Sequence, residues 1–195
     1  AGSASGQTGS IRVGSVSASG AAELPRRFTV AYSGTLVRSV AATVASTDGR
    51  VAVRNDSTNP VTVTLDVAGW YGDLTDTTGA RLVPRAALKV IDTATGFGIA
   101  GPLAKDVPTT VRMSATAVPA GTTGLVLSVQ TRGTAGSGAL TVVPTDGSSE
   151  GRSADVVASV WTTDLVVVPV GVDRALTLTS TAGADVRATI VGYLR

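Results

Sequence analysis

The chain has 195 residues, 16 basic and 14 acidic side chains, no histidine and no cysteine. Within it a Ser–His–Asp triad, a thiolate nucleophile, soft-metal ligation and a disulfide framework are therefore excluded. The apolar share is 43% and the aromatic share only 4%, so the core has to be built from Val, Ala, Leu and Ile. The charged share of 15% lies well below the roughly 25% of an ordinary soluble domain.

In chain order, the opening run from Ala1 to Ser10 reads as a flexible linker. The missing leader pattern at Ala1 reads as a start inside a processed polypeptide. Strands are expected near Ile11–Val16, Phe28–Tyr32 and Leu36–Ala45. A hairpin follows. Val51 and Val53 form its first arm, and residues 55–60 (Asn-Asp-Ser-Thr-Asn-Pro) are the turn. The second arm alternates Val61, Val63, Leu65 and Val67 against Thr62, Thr64 and Asp66, the period of a half-buried strand. Val63, Leu65 and Val67 are the expected core of this part. Further strands are expected at Leu82–Ile91, Val107–Met113, Leu125–Val129, Ala139–Val143, Ala154–Val160, Leu165–Val170, Ala175–Thr179 and Val186–Tyr193. Leu125, Leu127, Val129, Val186, Ala188 and Ile190 are the expected core of the later part. Turn signals at Asp48-Gly49, Pro119-Ala120-Gly121, Asp146-Gly147, Gly171 and Gly183 separate these strands. Short strands at such spacing imply sandwiches or barrels. The apolar run from Leu165 to Val172 is too short to span a bilayer.

The pattern repeats within the chain. Residues 9–13 (Gly-Ser-Ile-Arg-Val) align with 138–142 (Gly-Ala-Leu-Thr-Val), and 48–53 with 172–178. Residues 61–70 align with 184–193, both ending in a strand, a Gly and an aromatic residue. The stretch from Ala80 to Ser137 has no counterpart in the first copy. The expected organisation is an incomplete repeat over residues 1–72 (a back half), a linker over 73–79 and a complete repeat over 80–195. The expected fold is all-β, with tandem antiparallel β-sandwich domains of jelly-roll or Ig-like type.

Several motifs carry a resemblance. They are residues 90–93 (Val-Ile-Asp-Thr), 118–129 (beginning Val-Pro-Ala-Gly-Thr-Thr), 140–144 (Leu-Thr-Val-Val-Pro), 165–171 (Leu-Val-Val-Val-Pro-Val-Gly) and 190–194 (Ile-Val-Gly-Tyr-Leu). In these the chain resembles the β-rich repeats of secreted and cell-surface actinobacterial proteins. Trp70 and Tyr71 fill the closing motif of the first copy. Ala94 stands where those repeats usually carry Arg, so no role of that Arg carries over. The resemblance implies an extracellular accessory module, often joined to peptidase or glycan-degrading domains, with no catalytic residues.

The chemistry legible in the residues agrees. Asp66, Asp92, Asp106, Asp155 and Asp164 are isolated rather than paired as a glycosidase requires. Asp73 to Asp76 lacks the ligand spacing of a calcium loop. Lys89 and Lys105 fall in a different repeat from Asn55 and Asn59, which argues against a Lys–Asn crosslink within one domain. The arginines are scattered with no aromatic platform, which argues against nucleic-acid binding. No catalytic, metal or cofactor residue is expected. Trp70 and Tyr71 are the candidates for interface packing or, alternatively, sugar stacking. The expected function is that of a non-catalytic extracellular structural or adhesive protein, a subunit of a surface filament assembled by strand complementation. The alternative is a carbohydrate-binding module or the non-catalytic tail of a secreted enzyme. The expected partners are further copies of the chain or an upstream fragment of the same precursor, with cell-wall glycan as a further candidate, and neither nucleic acid nor membrane insertion.

Overall fold

The computed structural model describes residues 8–17, 19–20, 22–23, 29–33, 49–63, 65, 67, 79–146 and 152–195. These residues contain strands and turns and no helix. The chain divides into two compact units, Ala1–Leu65 and Asp66–Arg195.

The second unit has eight described strands: β5 (Leu82–Asp92), β6 (Thr109–Arg112), β7 (Gly124–Gly133), β8 (Gly138–Pro144), β9 (Arg152–Val156), β10 (Thr162–Pro169), β11 (Ala175–Ser180) and β12 (Ala184–Leu194). They form two four-stranded antiparallel sheets, in the orders β10-β7-β12-β5 and β6-β11-β8-β9. The pairing is nested. β8 pairs β9, β7 pairs β10, β6 pairs β11 and β5 pairs β12. The chain is thus one long hairpin, β5 to β8 out and β9 to β12 back, folded over so that alternate segments fall in opposite sheets. This is the jelly roll rather than the Ig-like arrangement, and its eight strands close over a single core.

Alternation explains which side chains fill that core. On β7, Leu125, Leu127 and Val129 are buried, and on β12 Val186, Ala188 and Ile190. The opposing sheet contributes Leu140, Val142, Leu176 and Leu178. All six residues expected from the period-two pattern are inside. Burial on one face pins the register, because a one-residue slip would expose the whole apolar set. Among the described residues the buried apolar side chains are aliphatic apart from Met113, and none is aromatic. Val and Leu on opposed pleated faces pack without aromatic bulk. Thr131 is a buried polar exception, and its hydroxyl is satisfied by the Asp155 carbonyl and by Thr162 Oγ1 at 2.9 Å.

The first unit has four described strands: β1 (Thr8–Val16), β2 (Ala22–Glu23), β3 (Thr29–Ser33) and β4 (Val51–Asn55). β1 is central. At Ile11 its partners are Val30 of β3 and Asn55 of β4, and at Ser15 they are Glu23 of β2 and Val51 of β4. Ile11 and Val13 are its buried centre, with Val61 packed against them. Arg12 closes the end of β4 through an ion pair with Asp56, which Arg54 also contacts at 2.8 Å. The Arg12 side chain holds the Asp56 carboxyl below its ordinary value.

Two expectations for residues 61–67 are corrected. Residues 61–63, 65 and 67 belong to no described strand, although the turn before them forms, with Asn55 Nδ2 donating to the Asn59 carbonyl at 2.7 Å. Val63, Leu65 and Val67 do not line a core; they are 38%, 53% and 73% exposed. Alternation marks them as built for one face, but no described strand flanks them to form it. The strand expected at Leu36–Ala45 and the residues 73–78 of the expected linker lie outside the described residues.

Candidate functional site

The densest polar grouping of the second unit lies where β5 ends beside β12 and β7. Its geometry begins with the segment 92–98. The Asp92 N–H donates to the Phe97 carbonyl at 2.8 Å, and the Phe97 N–H donates back at 3.0 Å. Gly98 then has φ +77°, and a Cβ there would meet the Val90 carbonyl oxygen at 2.3 Å, so only glycine lets the loop fold back this tightly.

Thr93 fastens the loop to β12. Its N–H donates to the Val186 carbonyl at 3.0 Å, its Oγ1 accepts from the Val186 N–H at 2.9 Å, and the hydroxyl donates to Asp185 Oδ1 at 3.3 Å. Arg132 of β7 reaches the other oxygen of Asp185 through Nε at 3.1 Å and Nη2 at 2.5 Å. Asp92 accepts from Lys89 Nζ at 2.8 Å, and Arg187 Nε stands 3.6 Å from its second oxygen. The Lys89 ammonium, with Arg187 beside it, holds the Asp92 carboxyl below the usual aspartate range, against the opposing effect of desolvation.

Trp161, just ahead of β10, completes the group. The guanidinium of Arg187 lies 4.3 Å from the centre of its ring and that of Arg132 lies 5.2 Å from it. Both are within cation–π range. Three cations thus surround two carboxylates beside one half-buried indole. Asp92 is kept ionised by its partners, which unfits it as a proton donor at neutral pH. Chemically the arrangement is a clasp tying three strands together, with an indole at its surface.

The structure disperses the other candidates. Asp106 is an exposed turn residue with φ 57° and lies 3.9 Å from Lys105. Asp164 accepts the Asp155 N–H at 2.9 Å, bridging β9 and β10. Lys89 is engaged by Asp92, and Asn55 shapes the turn after β4. Trp70, Tyr71, Asp66, Asp73 and Asp76 lie outside the described residues. Among the described residues no group of three or more acids could hold a metal ion.

Sequence reasoning missed Trp161, Arg132, Asp185 and Arg187. The one available signal was that residues 92–93 (Asp-Thr) lie in a motif that carries the resemblance and residues 184–186 (Ala-Asp-Val) open the segment aligned with residues 61–70. The contact between Thr93 and Asp185 shows those two motifs to be halves of one latch. No protein-family model and no curated protein matches the sequence.

Proposed function

We propose that this chain is a non-catalytic structural or adhesive protein of an extracellular or cell-wall surface that works in an assembly built by strand complementation. The observation that carries the reading is the employment of its acids. Three acids of the second unit, Asp92, Asp164 and Asp185, hold neighbouring strands or the loop between them. Histidine and cysteine are absent, and these three carboxylates are engaged by strand partners rather than free to take and return a proton. The sparse charge and the secreted-repeat motifs support an extracellular setting. The test is a screen of the purified chain against esters, peptides and polysaccharides, with sedimentation velocity to follow association. Background turnover and association with a partner are expected. Turnover abolished by a single Asp→Asn change overturns the reading.

A second reading is carbohydrate binding, favoured by Trp161 beside Arg187 and Arg132 at the surface of a sheet. Sugars stack on such faces, and guanidinium groups donate to their hydroxyls. Cell-wall glycan retained by the chain and released by Trp161→Ala would select this reading.

A further inference from the structure

We infer that the outer face of the β10-β7-β12-β5 sheet, at its Trp161 end, binds an acidic glycan. Arg187 and Arg132 receive its carboxylate or phosphate, and a set of hydroxyl and amide side chains receives the sugar. The inference rests on the second reading above, carbohydrate binding, and deepens it by naming the charge of the ligand.

The face is laid out by alternation. Leu127, Val129 and Thr131 of β7 and Val186, Ala188 and Ile190 of β12 are buried, so the residues between them point the other way. Those are Ser128, Gln130 and Arg132 on β7, and Arg187 and Thr189 on β12. Residues directly opposite in an antiparallel pair share a face. Arg187 stands opposite Gln130, and Gln130 opposite Thr163 of β10. Lys89, Thr189 and Ser128 form the next row. Trp161 directly precedes the Thr162–Thr131 pair, which sets it level with Arg132.

The charge of this face is asymmetric in depth. The Asp92 and Asp185 side chains are 5% and 6% exposed, whereas those of Arg132 and Arg187 are 42% exposed and that of Lys89 is 56% exposed. The carboxylates lie underneath and the cations on top, so solvent meets a positive surface. Asp164, the acid of β10, has the opposite parity to Thr163 and accepts the Asp155 N–H.

Arg187 differs from Arg132. Arg132 commits two nitrogens to Asp185. Arg187 makes no hydrogen bond among the described residues. The Trp161 ring holds its guanidinium at 4.3 Å, and its Nε is buried and unpaired, 3.6 Å from Asp92 Oδ1. A guanidinium presents five N–H donors in a rigid planar fork. With Arg187 already over the indole, the ring serves to aim a cation, and the group that answers an aimed guanidinium is an oxyanion. The neighbours specify the rest of the ligand. Gln130 and Thr163 touch only at 3.5 Å, and the hydroxyls of Ser128 and Thr189 have no hydrogen bond among the described residues. Hydroxyl and amide groups both donate and accept, as sugar hydroxyls do, which favours a glycan over an acidic peptide.

The test is titration calorimetry of the full chain with oligogalacturonate, phosphomannan, neutral mannan and polyglutamate. One of the two acidic glycans is expected to bind about tenfold or more tighter than mannan and polyglutamate, and which one it is identifies the acid as carboxylate or phosphate. The affinity is expected to fall as salt is raised, because exposed charges are screened. Arg187→Lys keeps the charge and loses the fork, and is expected to weaken binding about tenfold. Gln130→Glu places a carboxylate opposite Arg187 and is expected to abolish binding. It removes no contact of Asp92 or Asp185, so it decides the matter where Arg187→Lys lowers the Tm. Equal affinity for mannan overturns the inference and leaves the carbohydrate reading standing. Equal affinity for polyglutamate overturns it as well, since the site would then take any polyanion. Binding of no glycan overturns the inference and the carbohydrate reading together. Unaltered affinity in both variants overturns the placement of the site.

Discussion

Arg132 and Asp185 are direct cross-strand partners on β7 and β12, and two nitrogens of the guanidinium converge on one carboxylate oxygen. Asp185 is 5% exposed, so its charge is tolerated because Arg132 and Thr93 meet it. Removing one partner of a buried pair strands the other charge. Arg132→Ala is expected to cost roughly 2–4 kcal/mol in urea unfolding of the second unit, and the double variant Arg132→Ala/Asp185→Ala less than the sum of the singles. Additive losses would show that the pair does not interact.

Acid sensitivity follows from Asp92. Its folded carboxyl lies below the ordinary value of about 3.9, first because Lys89 donates to it. A depressed folded value contributes stability that is whole above the unfolded value and is lost as pH falls through the folded one. Tm is therefore expected to be flat from neutrality to about pH 4 and to fall below it. Asp92→Asn is expected to lower Tm at pH 7 and to flatten the acid limb. An identical acid limb in the variant would assign the fall to other groups.

Gly96 and Gly98 make a matched pair. Both have positive φ, but a Cβ on Gly96 meets open space and one on Gly98 meets the Val90 carbonyl. Gly96→Ala is expected to cost about 1 kcal/mol from backbone strain alone. Gly98→Ala is expected to cost at least roughly twice that, because strain and collision add. Equal losses by chemical denaturation would show that the loop relaxes.

Truncation separates the alternating positions that are covered from those that are not. Leu140→Ala is expected to cost roughly 3 kcal/mol, as a cavity in a closed core. Leu65→Ala, at 53% exposure, is expected to stay within about 0.5 kcal/mol. Comparable effects would place Leu65 inside.

Those two leucines also mark how far the residues alone reach. Alternation located β7, β8, β11 and β12 and named six core side chains, because period two is a local property of a strand that buries one face. It could not report whether that face is covered, so Leu65 and Val67 read like Ile190. Jelly roll and Ig-like sandwich could not be separated either. The distinction rests on pairings such as β5 with β12, between segments at opposite ends of the unit. The clasp was illegible for the same reason. Asp92, Arg132, Trp161 and Asp185 are far apart in the chain, and what makes them a group is the order of strands.

That order also decides how the second unit bears load. Arg81 and Arg195 exchange backbone hydrogen bonds at 2.6 and 2.9 Å, so the start of β5 and the end of β12 are fastened side by side. A pull on those two ends draws Leu82 of β5 directly away from Leu194 of β12. In an antiparallel pair the hydrogen bonds lie across the strands, so this force meets them one at a time, as in opening a zipper. Under such a pull the hydrogen bonds between β5 and β12 would open in sequence from the Arg81–Arg195 end rather than all together.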